Sequence, residues 1–92
     1  MKYIVEISCL DGSKTHQVHE TENDGLIALN QLQIFMESEG EIDGPDGPTE
    51  IENARLCAVE ASDDNKAIEM VVAGDGREVR STEAAFVVTR GS

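Results

Sequence analysis

Two cysteines and two histidines are the residues of this 92-residue chain best suited to covalent or metal chemistry, and their spacing favours neither. A thiol nucleophile needs a base within hydrogen-bonding reach. Cys9 and His16 are the obvious pair. A hairpin turning through a two-residue Asp11-Gly12 loop sets Cys9 opposite Lys14, Ile7 opposite His16 and Val5 opposite Val18. Cys9 and His16 then share a sheet face without facing each other, which reads as a packed thiol and a hydrogen-bonded histidine. His16 and His19 are three apart, so a strand points them to opposite faces and makes them poor joint ligands. Neither Cys9 nor Cys57 belongs to a C-x-x-C, and both sit among apolar residues, as buried thiols of a reducing compartment do. Gly74-Asp75-Gly76 lacks the further glycines and the lysine of a phosphate loop. Asp43, Asp46 and Glu50 offer oxygen ligands, but not in the order of a calcium-binding EF-hand loop. The expectation is therefore a chain with no catalytic, cofactor-binding or metal site, and no enzymatic activity.

Charge carries more information. The net charge is −12, from 19 acids and 7 Lys or Arg. Direct binding of nucleic acid needs clustered cations and is not expected. Between Lys14 and Arg55 there is no Lys or Arg at all, yet the segment holds Glu20, Glu22, Asp24, Glu37, Glu39, Glu41, Asp43, Asp46, Glu50 and Glu52. The rest of the chain is near balance. Solubility alone is best served by mixed, dispersed charge, whereas concentrated like charge works against the compact state. Such a distribution points to a basic protein surface as the partner, of the kind that holds nucleic-acid phosphates. In size and charge the chain is similar in type to small inhibitors that bacteriophages direct against nucleases and CRISPR surveillance complexes, some of which act as DNA mimics, although no motif assigns it to a family. The alternative is a small accessory subunit or adaptor whose acidity serves solubility only.

The elements that must position these residues follow from periodicity. Lys2–Leu10 alternates as a strand, and Ser13–Glu20 reads as its hairpin partner and as a sheet edge. The two-residue loop puts Tyr3, Val5, Ile7, Cys9, His16 and Val18 on one face and Glu6, Ser8, Ser13, Thr15, Gln17 and His19 on the other, so the sheet is expected to be covered on one side. Thr21 to Asp24 supplies caps for a helix over 24–39, closed by Gly40. Its apolar face is Ala28, Leu29, Leu32, Phe35 and Met36, expected to close over the sheet, and Val5, Ile7, Val18, Ala28, Leu32, Phe35 and Met36 are expected to share one core. Ile27, Gln31, Ile34 and Ser38 make a second stripe facing away from that core, a candidate partner anchor or homodimer seam. The glycines and prolines of 40–49 read as a loop. Residues 53–61 and 66–73 read as a hairpin, and 77–81 and 84–90 as two more strands. The fold class expected is α+β, a single domain over 1–92, with one amphipathic helix on a mainly antiparallel sheet in the order β-β-α-β-β-β(-β). No stretch is long and apolar enough for a membrane span, and the start shows no signal-peptide pattern, so a cytoplasmic location is expected, the host cytoplasm if phage-encoded.

Overall fold

Alternating residues of the first strand are buried in both directions. In the computed structural model, which describes residues 1–83, β1 (Lys2–Cys9) buries Val5, Ile7 and Cys9 on one face and Ile4 and Glu6 on the other. It lies in an antiparallel sheet in the order β2 (Lys14–His19), β1, β4 (Gly47–Val59), β3 (Glu41–Gly44), with β5 (Arg77–Glu83) also paired to β4. Glu50's carbonyl accepts from the N–H of Leu10, while Ile51's N–H donates to the Gly40 carbonyl. These groups point to opposite sides of β4, so β3 and β5 share the edge of β4 away from β1. The class is α+β, with β2 as an edge strand.

One face of the sheet is covered by α1 (Glu22–Ser38). Thr21 caps it by accepting from the Asp24 N–H, and Gly40 ends it at φ 70°. Leu29 and Met36 are buried against Val5, Ile7, Cys9, Ile51, Ala54 and Leu56, with Ala28, Leu32 and Phe35 packed half-exposed around them. The helix comes so close at Gly25 that a Cβ there would lie 2.6 Å from a Leu56 methyl.

Three expectations fail. The sheet is covered on its second face too, because a helix over 64–72 stands where a strand over 66–73 is expected. Asp63 caps α2 (Asp64–Val72) by accepting from the Lys66 N–H at 2.8 Å. Ala67 and Val71, four apart, are buried against Ile4, Cys57 and Val59. Gly74, at φ 85°, then donates to the Val71 carbonyl and Asp75 to the Met70 carbonyl, a left-handed helix stop. Caps at both ends and an i, i+4 contact outweigh the strand preference of Ile68, Val71 and Val72.

The first hairpin also turns differently. Gly12 donates to the Cys9 carbonyl and sits at φ 89°, so the loop has three residues, Leu10 to Gly12. The register becomes Ile4 to Val18, Glu6 to His16 and Ser8 to Lys14. A slip of one residue sends every β2 side chain to the other face. Val18 therefore joins the Ile4 cluster under α2 and not the α1 core. Third, 40–49 is not a loop: β3 and β4 pair as a hairpin around Pro45-Asp46, with Gly44 opposite Gly47. Pro48 faces Asp43, where a missing N–H breaks no bond to β3. Leu32 packs half-buried against the α1 core as expected, while Leu29 and Met36 are the helix residues buried there. The strand expected over 84–90 lies outside the described residues.

Candidate interaction surface

Backbone pairing fixes the acids of the β3–β4 hairpin. Ile42, Thr49 and Ile51 turn toward the α1 side, where Thr49 and Ile51 are buried. Alternation then sends Glu41, Asp43 and Glu50 out of the opposite face, all three exposed. Glu41 and Glu50 are directly opposite each other in the ladder. Asp46 is exposed at the tip. Glu52 is half-buried at a bulge, where Cys9 pairs with Ile51 but Ser8 with Asn53.

Asp11, which lies before the cation-free segment and is not among the expected contact residues, joins this end of the molecule. Its N–H donates to the Thr49 hydroxyl, and a Cβ on Gly44 would lie 2.7 Å from its carboxylate. The Ser13 hydroxyl and N–H both donate to that carboxylate and hold it below the usual aspartate range.

The other predicted site residues divide. Glu37 and Glu39 are exposed at the C-terminal end of α1 and reach the hairpin through Gly40. Glu22 and Asp24 are exposed in the first turn, roughly 20–25 Å away along a helix of 17 residues. Glu20 is drawn off altogether, since Lys2 donates to it at 2.6 Å and also reaches Asp64 at 3.4 Å. Ile27 and Ile34 are 50% and 59% exposed on the outer side of α1, with Gln31 exposed between them. The hairpin acids and the isoleucine stripe therefore lie on opposite sides of the sheet and do not form one continuous patch.

Ion pairing centres on one buried acid outside the cation-free segment. Glu6, 2% exposed under α2, accepts from the Arg55 Nε at 2.9 Å, pairs with the His16 Nε2 at 2.9 Å and has the Lys14 Nζ at 3.8 Å. Burial pushes this carboxyl up, but the hydrogen bonds from His16 and Arg55 and the charges of Arg55 and Lys14 outweigh it and leave it below the usual glutamate range. Among the described residues, every ion pair uses Lys2, Lys14, His16 or Arg55, and of the acids in the cation-free segment only Glu20 takes part.

Cys9 and Cys57 are free, buried under α1 and α2 respectively, and burial pushes both thiols up. Among the described residues there is no pocket, no cluster of His, Cys, Asp and Glu placed to hold a metal, and no helix long and apolar enough to cross a membrane. No protein-family model, curated protein or solved structure matches this chain.

Proposed function

We propose that this chain is a non-enzymatic binding protein whose hairpin end occupies a cationic surface on another protein, of the kind that holds nucleic-acid phosphates, and so inhibits that protein. The observation that supports this reading is the fixed, unneutralised row of Glu41, Asp43 and Glu50. Two like charges directly opposite in a ladder cost stability, on the order of a few tenths of a kcal/mol. Carboxylates held by a paired backbone can replace phosphates at Arg and Lys sites with little ordering on binding. Long-range attraction fades within about 8 Å at physiological salt, so these groups act at contact and in the last approach. Phage anti-defence proteins of the anti-CRISPR or DNA-mimic type are the sharpest form of the proposal.

The test is capture of the partner from host cells, followed by salt titration and competition with DNA and RNA. Glu41→Gln, Asp43→Asn and Glu50→Gln together should slow association by about tenfold or more and leave the fold intact. A complex indifferent to salt, uncompeted by nucleic acid and unchanged in the triple variant would assign the acids to solubility, and an accessory-subunit role would replace the inhibitor.

A further inference from the structure

The middle of α1 carries no charge. From Gly25 to Met36 there is no Asp, Glu, Lys or Arg, in a protein whose net charge is −12. A helix face meant only for water is ordinarily covered with charged and polar residues. This one exposes Ile27 and Ile34 with Gln31 between them. Each isoleucine has a carboxylate beside it on the outward end: Asp24 three residues before Ile27, and Glu37 three after Ile34. The two carboxylates are about 20 Å apart along the axis. There is no Lys or Arg anywhere on the helix.

That order of charge selects the occupant. A second copy packed antiparallel would bring its Glu37 to the same end of the face as Asp24. Packed parallel, it would bring each acid to the level of its own twin. Both arrangements add a second carboxylate and no cation at each end, around two isoleucines per side. A partner with an apolar centre and cations at both ends meets no such conflict.

We infer that the outer face of α1 docks an amphipathic helix of a basic protein, with apolar side chains over Ile27 and Ile34 and Lys or Arg side chains at Asp24 and Glu37. This rests on the reading that the chain binds cationic proteins, and adds to it a second contact on the side away from Glu41, Asp43 and Glu50. The isoleucines exclude water from the centre and slow release, while the terminal carboxylates align the incoming helix.

A library of helical peptides with randomised surface positions, panned on the intact protein, tests this. Enriched peptides should carry apolar residues at i, i+3 or i+4, and i+7, with Lys or Arg beyond them at both ends. Their affinity should fall at least about tenfold for Ile27→Gln with Ile34→Gln, and for Gln31→Lys, whose charge meets the same face. These exposed substitutions should leave the thermal midpoint unchanged. The hairpin triple variant should bind the peptides within about twofold, being remote from the stripe. No enrichment, enrichment without the pattern, or equal binding to the isoleucine variant would overturn the inference. So would a wild-type dimer in sedimentation that Ile27→Gln with Ile34→Gln converts to monomer, because a second copy would then cover the face. Poly-lysine, which has no apolar group, reports the carboxylates alone. Insensitivity of its binding to the hairpin triple variant would remove the charge reading of the hairpin and leave the peptide result standing.

Discussion

Glu6 gathers three of the chain's basic side chains around one buried carboxylate, and its titration follows from that. Its folded pKa is depressed, so its contribution to stability is full above the unfolded glutamate value and is lost as pH falls through the lower folded value. Glu6→Gln should therefore cost most at pH 5–7, by about 1.5–3 kcal/mol for a hydrogen-bonded charge. The deficit against wild type should shrink as urea unfolding is repeated at successively lower pH toward about 3, below the ordinary carboxylate range. A deficit that grows with acid would mean that the carboxylate is not held ionised. Arg55→Met should cost less than the 3–5 kcal/mol typical of breaking a fully buried pair, roughly 1–3 kcal/mol, because Arg55 is a third exposed. In the sequence, Glu6 reads as a solvated strand residue. Nothing but the register to His16 marks it, and that register hinges on whether Gly12 sits inside a two-residue loop or closes a three-residue one. Asp11-Gly12 is compatible with both.

At the scale of elements, strong period and strong caps were legible and short segments were not. The alternation of β1, the 17-residue α1 with its Thr21 and Gly40 ends, and the outward stripe of Ile27 and Ile34 all follow from spacing. The nine residues of α2 are too few for their period to outweigh three β-branched side chains, and the Asp63 cap reads equally as a turn. Asp63→Ala should accordingly destabilise by about 0.5–2 kcal/mol in urea unfolding, which a turn residue would not. On α1, Leu29→Ala should cost about 2–5 kcal/mol and more than Leu32→Ala, since only Leu29 is fully enclosed. The C-terminal turn of α1 holds no base, and Glu37 meets the negative end of the helix dipole. Glu37→Lys should raise stability by about 0.3–1 kcal/mol while removing a proposed contact, and thermal melts of the two forms would show it. The acids of the candidate surface were countable in the sequence. Their division between two sides of the sheet was not, because it depends on the β3–β4 pairing that Pro45 and Pro48 obscure.

For the whole molecule, repulsion among unpaired acids should make stability rise with added salt, and the rise should be smaller when Glu41 and Glu50 are neutralised. Equal salt responses of wild type and this variant in thermal melts would place the repulsion elsewhere. The two-sided sheet has another consequence. Each layer encloses one thiol, Cys9 beneath α1 and Cys57 beneath α2, so the protein carries a built-in reporter for the opening of each side. Single Cys→Ser variants reacted with a thiol reagent in native buffer would time the two layers separately. The shorter α2 should lift first, exposing Cys57 at a free energy below that of global unfolding, while Cys9 waits for the longer helix. If that difference in labelling rate is found, the molecule can shed one cover and keep the other. The Ile27 and Ile34 face would then ride on the part that stays shut.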